Sequence, residues 1–373
     1  MWKVSGEVKL LKTFLICAAL LIIAVISVIF TDHNEQFYHR TIGKVVKVME
    51  DPNNSKSEQG KLYQQTLSVR ILNGIYKGNI LTLDNSYSME GAYDYHYHKG
   101  DNIFLSLTST VKNATTKNTS LKNISVKITG VKRDYYLVIT GWIFLLFILI
   151  IGRKRGLYSA ISLFANVLIF SYALDLYRKG MNLVFLCSVL AIIFTAISMI
   201  MVLGRNRKSY AAILSTLLAT IITMVITYIV LFATKKNGLR FEEMQYITRP
   251  MEPIFISGIL LGSLGAIMDI AITITSSLYE MNHEQMSGVA LINSGKEIGR
   301  DIMGSMCNVL LLAYVSGSIP MILLYSKNGM SLFQAFYANL SLELARALTG
   351  SIGIVLSIPI SIYTTLFFMK KKK

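Results

Sequence analysis

The sequence has 373 residues, of which 53% are hydrophobic and 16% are charged, and its mean hydropathy is +0.50. Soluble domains of this size seldom reach these values, so the composition excludes an ordinary water-soluble protein and predicts an integral membrane protein. The formal net charge is +16. Basic loops that orient spans and contact anionic lipid explain this charge better than nucleic acid, which we do not expect as a partner. The three cysteines lie in apolar runs at unrelated spacings, which predicts neither disulfides nor a zinc site.

Residues 1–30 are predicted to form a signal-anchor helix. The apolar run at 10–30 follows Lys3, Lys9 and Lys12 and lacks the small-residue cleavage site of a removable signal peptide. Because basic flanking residues stay on the cytoplasmic side of a membrane, we expect the amino terminus in the cytoplasm.

Residues 31–134 are polar and alternate between apolar and polar positions. Five runs rich in Val, Ile, Leu and Thr are separated by Gly and Asn turns, which predicts five short strands: TIGKVVKVM, QTLSVRIL, GNILTLDN, DNIFLSLTSTV and ISVKITGV. Five strands in this length indicate a small Greek-key barrel of OB-like or SH3-like type. Because the segment follows the first span, we expect it outside the cytoplasm.

This β domain has two open interpretations, a rigid cap or a module that binds a ligand or partner. The tract GAYDYHYHKG contains His96 and His98, which two-residue spacing places on one strand face. A metal site would need a third ligand, and the sequence does not indicate one. We therefore expect no metal.

Residues 135–373 are predicted to form a helical membrane domain. Seven apolar stretches there, with the first anchor, make about eight transmembrane helices: residues 135–151, 158–176, 182–203, 209–233, 253–279, 302–324 and 352–369. Basic residues at 152–156, 204–209 and 370–373 should face the cytoplasm. This predicts a multi-pass protein of the plasma membrane with both termini cytoplasmic.

The segment at residues 331–350 is amphipathic, with leucines and Phe336 on one side and Gln334, Asn339, Glu343 and Arg346 on the others. We expect an interfacial or re-entrant segment there. A full span would leave the four terminal lysines outside. The predicted fold class is therefore an α-helical polytopic membrane protein with a small extracytoplasmic all-β domain inserted after the first helix.

Two polar helices are predicted, at residues 253–280 and 300–324. In the first, polar side chains recur three or four residues apart and share one face: Asp269, Thr273, Ser276 and Glu280. A carboxylate facing lipid costs about 2.5–3.5 kcal/mol on insertion scales. We therefore expect this face to look inward.

The second polar helix carries Arg300, Asp301 and Asn308. A cytoplasmic loop joins the two helices, so Asp269 and Asn308 are expected at one depth, about 12–16 Å from the cytoplasmic boundary. There Asn308, with Asp301 or Arg300, would hydrate or pair Asp269. Two interpretations stay open: a packing motif that fixes helix register, and a pathway for a cation, a proton or a small polar solute.

Three segments carry a resemblance to a known family: GSLGAIMDIAITITSSLYEM, SGKEIGRDIMGSMCNVLLLAYVSGSIP and LARALTGSIGIVLSIPIS. In them, and in its order of anchor, β domain and helical bundle, the chain resembles the YibE/F family of bacterial multi-spanning membrane proteins. The resemblance implies a bacterial membrane protein of this architecture, and the family is described as membrane proteins or transporters.

The function expected from these features is that of a transporter or channel-like protein. Asp269 would bind the cation or carry the proton, Thr273, Ser276 and Asn308 would supply neutral ligands, and Arg300 would set the local field. The alternative is a non-transporting accessory or envelope-stress protein whose β domain binds a partner. We expect no enzyme and no cofactor, because nucleophile-elbow, P-loop and paired-histidine patterns do not occur. The partners expected are the lipid bilayer and a small ion or solute, and a homo-oligomer stays open.

Overall fold

A computed structural model describes residues 21–51, 62–88, 94–109, 124–235, 239, 241, 251–282 and 286–370. The chain divides into two compact units, Met1–Phe147 and Ile148–Lys373. The first unit contains the β domain, and the second contains most of the long apolar helices.

The β domain follows a short apolar helix, α1 (Leu21–Asp32), and a single 3-10 turn at Glu35–Phe37. Its five antiparallel strands confirm the predicted number: β1 (Thr41–Asp51), β2 (Leu62–Ile71), β3 (Ile80–Ser88), β4 (Asn102–Ser109) and β5 (Ile124–Val131). Their order in the sheet is β3-β2-β1-β4-β5. Because β4 lies beside β1 while β2 and β3 continue on its other side, this is a Greek-key order. The strands form a nearly closed barrel.

The interior of the barrel is formed by the apolar side of each strand. Val45, Leu67, Val69, Ile103 and Leu105 are buried and pack in one cluster. The alternation that predicted the strands thus also identified the residues of this core, because successive side chains of a strand point to opposite faces of the sheet.

Six helices are long and apolar enough to cross a membrane: α2 (Asp134–Arg178), α3 (Leu183–Leu203), α4 (Arg207–Ala233), α5 (Met251–Met281), α6 (Gly288–Lys327) and α7 (Leu332–Lys370). The chain is therefore a multi-pass membrane protein, as its composition predicted.

The prediction of about eight separate helices is wrong: the described residues form seven, six of them of spanning length. The predicted spans at 135–151 and 158–176 are both parts of α2, which has a sharp kink between them at Arg153. That residue has φ 48° and ψ −127° and interrupts the helix. Gly156 follows the interruption so closely against the carbonyl of Ile148 that a Cβ atom would not fit there.

A second correction concerns residues 331–350. The structure joins them to the last predicted span in the continuous helix α7, which also contains Pro359. They therefore do not form a separate re-entrant segment. Helix α6 similarly extends beyond the predicted 300–324 and contains Pro320.

The helices of the second unit pack through small and hydroxyl-bearing residues. Gly353 of α7 contacts Ile267 of α5 and Thr223 of α4 so closely that a Cβ atom would lie 2.6 Å and 3.1 Å from their side chains. The hydroxyls of Thr275 and Thr365 lie 3.1 Å apart between α5 and α7. Lipid tails are as apolar as leucine, so membrane helices gain most by close backbone approach. This explains why α4, α5 and α7 form the interior.

Helix α6 packs on α7 in the same manner. Gly295 and Gly299 of α6 fit against Ile362 and Ile358 of α7, and neither position has room for a Cβ atom. The described part of the chain leaves the opposite side of α6 uncovered, and Val309 and Leu312 there are 64% and 66% exposed.

Candidate functional site

The first polar face lies along one side of α5. Asp269, Thr273 and Glu280 are exposed there, and Ser276 is half-buried. The Thr273 hydroxyl donates to the backbone carbonyl of Asp269 at 2.8 Å. Its donor is therefore used within the helix, and the lone pairs of the oxygen stay available to a ligand.

The second polar face lies on the uncovered side of α6. Arg300, Asp301 and Asn308 are all exposed. Between them, Gly304 has nothing within 4 Å of a built Cβ atom, so the surface is open at that height. Along this part of α6, exposed polar side chains lie on both sides of a glycine that leaves the helix backbone accessible.

Two contacts show that α5 and α6 are antiparallel neighbours. Tyr314 meets Gly262 near one end of the pair, and Gly295 meets Leu278 near the other. Asp269 is seven residues from Gly262, and Asn308 is six from Tyr314. At 1.5 Å per residue both therefore lie about 10 Å along the helices from the same contact. This agrees with the equal depth expected from the sequence.

The expected inward orientation of the α5 face is not met within this chain. The interior side of α5 is taken by Ile267, Ile270 and Ile274, which are fully buried. Ile270 and Ile274 share a core cluster with isoleucines of α7. Asp269 is exposed on another side, and no hydrogen bond or ion pair among the described residues joins it to Asn308. The predicted direct pair is thus replaced by two open polar faces at one height.

A charged cluster that sequence reasoning did not identify as a site lies at the far end of the α5 face. On α7, Arg346 Nη1 lies 2.5 Å from Glu343 Oε1, and the two side chains are only 18% and 23% exposed. The Arg346 guanidinium carbon lies 5.4 Å from the centroid of the Phe255 ring. Arg346 Nε is buried and has no hydrogen-bond partner among the residues that the structure describes. A charge placed in this way is costly in free energy, and charged side chains inside transmembrane segments usually mark functional positions.

This cluster covers the glycines that continue the α5 face beyond Asp269. A Cβ atom built on Gly258 would lie 3.8 Å from Arg346 Nε, and the Tyr314 hydroxyl occupies the space that a Cβ on Gly262 would need. Tyr314 also interacts electrostatically with Arg346 and Glu343. In the sequence, Glu343 and Arg346 are an acid and a base three residues apart beside a long apolar run. That pattern by itself predicts the polar side of an interfacial helix.

We expect Gly262→Ala to displace Tyr314 and to destabilise the protein by about 1–3 kcal/mol, the usual cost of overpacking. The measurement is thermal unfolding of the purified protein in detergent. Gly317→Ala on α6 is the matched control, because Gly317 is exposed and nothing lies within 4 Å of a Cβ at that position. Adding Tyr314→Phe to Gly262→Ala removes the displaced hydroxyl and should recover part of the lost stability. Equal thermal midpoints for the two alanine variants would contradict this contact.

The other end of the α5 face is also charged. Glu280 interacts electrostatically with Lys208 at the start of α4, and Arg155 acts on the same lysine. The exposed acid Asp269 thus lies between an Arg–Glu cluster at one end of its helix face and a Lys–Glu pair at the other.

The histidines of the β domain do not form a metal site among the described residues. His96 Nε2 lies 2.8 Å from Glu50 Oε1. Its ring stacks on Tyr87 at 4.3 Å and lies 4.6 Å from His98, and Tyr63 stacks on Tyr87 at 5.6 Å. Burial raises the pKa of Tyr87, with Glu50 as a further cause. The result is a row of four rings across the sheet.

Comparison with known proteins gives two family matches. The model described as YibE/F-like protein matches residues 140–371. The model described as the YibE/F family N-terminal domain matches residues 36–131. Comparison with curated proteins finds no match, and neither does comparison with solved structures.

Proposed function

The chain belongs to the YibE/F family, and from that premise we propose that it moves a cation, a proton or a small polar solute across a membrane as a transporter or channel-like protein. One observation carries the proposal: Asp269 and Asn308 lie at one height on exposed faces of adjacent apolar helices. A carboxylate in that position must meet water, an ion or another polar surface, because lipid solvates it poorly.

The side chains along the pathway have distinct roles in this proposal. Asp269 binds the cation or carries the proton, because it lies in the interior of α5, whose other acids, Glu252 and Glu280, lie next to the helix ends. Thr273, Ser276 and Asn308 offer neutral oxygen ligands. Arg300 and Asp301 set the field toward the end where Glu280 and Lys208 meet. Oxygen ligands around a carboxylate suit a hard cation.

The pathway is completed by a second copy of the chain. Gly265 and Gly304 have open space around a built Cβ atom, and small residues allow the helices of two subunits to approach closely. A second α5–α6 face would also remove Asp269 and Asn308 from lipid. In this arrangement the solute passes between subunits, and Arg346 with Tyr314 covers the end of each face at Gly258 and Gly262.

The proposed placement is a bacterial plasma membrane with both termini cytoplasmic, in which α2 crosses the membrane twice and turns back at Arg153, so that the seven described helices make eight crossings. The basic residues at 152–156 and 370–373 support it through the positive-inside rule. The β domain is then extracytoplasmic, and the Arg346 end of the α5 face is the outer end.

Flux into liposomes containing the full chain tests this function. Protons, monovalent cations and divalent cations are offered in turn, and empty liposomes provide the background. We expect one of them to enter only with the protein, and to depend on Asp269.

The accessory alternative has one observation in its favour, the row of rings formed by Tyr63, Tyr87, His96 and His98 on the β domain. Partly exposed aromatic rings are common at sites that bind a partner. Deleting residues 37–130 should then remove the cellular activity of the protein, while Asp269→Asn should have no effect. Retention of activity in the deletion and its loss in Asp269→Asn would favour transport instead.

A further inference from the structure

A polar cavity of about 330 Å³ opens on the β domain and has no carboxylate in its lining. Its lining includes Tyr38, His39, Arg40, Asn73, Gly74 and Lys77. Arg40 and Lys77 are exposed, and no salt bridge among the described residues involves either of them. One guanidinium group and one ammonium group thus border a cavity whose lining contains no carboxylate to pair with them.

A third cation adds to the positive field. Lys132 is buried, with 8% of its surface exposed, and its Nζ donates to the carbonyl of Thr31 at 2.8 Å and to Asn34 Oδ1 at 2.6 Å. Both partners are neutral. Lys132 Nζ lies 5.7 Å from the centroid of the Tyr38 ring, which lines the cavity.

One acid lies behind the cavity wall and partly offsets this field. The Tyr38 hydroxyl donates to Asp134, and this hydrogen bond, with burial, raises the pKa of Tyr38 above its usual value. Tyr38 is therefore neutral at physiological pH, and its hydroxyl proton is engaged with Asp134. Arg40 and Lys77 are left as the charged groups at the opening.

The wall of the cavity is held in place by Asn73. Its buried side chain donates from Nδ2 to the carbonyls of Glu35 and Arg40, at 2.7 Å and 3.0 Å, and accepts the backbone N–H of Ile42 at 2.7 Å. Gly74 follows with φ 81°, a conformation that favours glycine. The segment that carries Arg40 is therefore fixed against the turn that leads to Lys77.

Two strongly exposed apolar side chains flank the cavity. Ile75, between Gly74 and Lys77, is 85% exposed, and Phe37, next to Tyr38, is 74% exposed. The ring of Phe37 lies 5.5 Å from that of Phe30 on the apolar helix α1. Phe37 is thus five residues beyond Asp32, where the apolar helix α1 ends.

We propose that this cavity binds the phosphate of an anionic membrane phospholipid, whose net negative charge suits a cavity lined by Arg40 and Lys77 and by no carboxylate. Arg40 and Lys77 hold the phosphate oxygens through charge-assisted hydrogen bonds. Phe37 and Ile75 enter the interface between headgroups and acyl chains, which is the place of exposed apolar side chains beside basic ones. The binding would hold the β domain against the bilayer surface, and it is independent of the transport proposal.

The test uses the full chain in nanodiscs and measures hydrogen–deuterium exchange of residues 35–42 and 72–78. Nanodiscs of phosphatidylcholine alone are compared with nanodiscs that also contain phosphatidylglycerol. We expect slower exchange in both segments with phosphatidylglycerol. In the double variant Arg40→Gln/Lys77→Gln this slowing should be lost, whereas the control Lys44→Gln/Lys47→Gln, on exposed positions of β1, should keep it.

Affinity is measured separately, by native mass spectrometry of the detergent-solubilised chain with a short-chain phosphatidylglycerol. Each removed charge should weaken binding about fivefold, the factor expected for one basic residue near an anionic surface. Equal exchange in the two nanodiscs, or equal loss in the control variant, would overturn the proposal. Slowing by inorganic phosphate in detergent without added lipid would identify a site for a free anion and overturn the lipid assignment.

Discussion

Asp269→Asn is expected to abolish solute flux by the reconstituted protein. A unit charge 4 Å from a bound monovalent cation contributes about 4 kcal/mol at an effective dielectric constant of 20. Losing it lowers occupancy of the site by about three orders of magnitude. If the solute is a proton, the amide cannot carry it at all. The measurement is initial flux into liposomes at equal protein content.

A fold control is needed, because asparagine preserves shape but not charge. Asp269 is exposed and has no hydrogen bond to its carboxylate among the described residues, so Asp269→Asn should keep the gel-filtration profile and the thermal midpoint of the wild type. Asp175→Asn is the matched variant, since Asp175 is an exposed acid near the end of α2. It should transport as the wild type does, and undiminished flux in Asp269→Asn would remove Asp269 from the pathway.

Glu343→Gln is expected to destabilise the membrane domain by about 3 kcal/mol. The substitution leaves Arg346 charged, largely buried and without its ion pair, and breaking a buried pair on one side costs about 3–5 kcal/mol. We expect the lower end of that range because the side chains of Arg346 and Glu343 are still 18% and 23% exposed. The measurement is unfolding in detergent, followed by the thermal midpoint or by denaturant titration.

The double variant Glu343→Gln/Arg346→Gln should recover much of that loss, because the uncompensated charge is removed with its partner. The chain also contains a matched exposed pair at the same spacing, Asp175 and Arg178, whose side chains are 63% and 82% exposed. Asp175→Asn should change stability by at most about 0.5 kcal/mol. Equal effects at the two pairs would mean that the Arg346 pair is solvated like a surface pair.

The charged groups at the two ends of the α5 face have a consequence for transport. Arg346, at the end that meets Tyr314, presents a positive charge to an entering cation, and Lys208 does the same near Glu280. Asp269 then lies between two positive regions, each balanced by a glutamate. In the proposed pathway, a cation would bind Asp269 only after passing one of these pairs.

Local sequence pattern was sufficient for the β domain. Alternation of apolar and polar residues predicted all five strands, and Val45, Leu67 and Ile103 are in the barrel core as that alternation requires. The strand order could not be derived in the same way, because pairing of β1 with β4 joins segments about 60 residues apart. The cavity between Arg40 and Lys77 depends on the same long-range arrangement.

For the helices, hydropathy located the apolar segments but not their ends. Arg153 interrupts a helix that hydropathy divided into two spans, and Glu343 and Arg346 continue a helix that amphipathicity assigned to the interface. Hydropathy responds to polar residues, whereas a helix continues as long as its backbone hydrogen bonds can form. An amphipathic stretch therefore does not by itself end a helix.

By itself, the sequence determined that this protein is a multi-pass membrane protein with a five-stranded β domain, and that Asp269 and Asn308 lie at one height on adjacent helices. Composition, side-chain periodicity and the rise of a helix suffice for these conclusions. Only the tertiary structure decided which side of each helix is buried. Isoleucine and leucine side chains of neighbouring helices pack against Gly299, Gly350 and Gly353. This close packing leaves Asp269 on the exposed side of α5. That choice depends on the fit of side chains between helices, which periodicity along one helix does not contain.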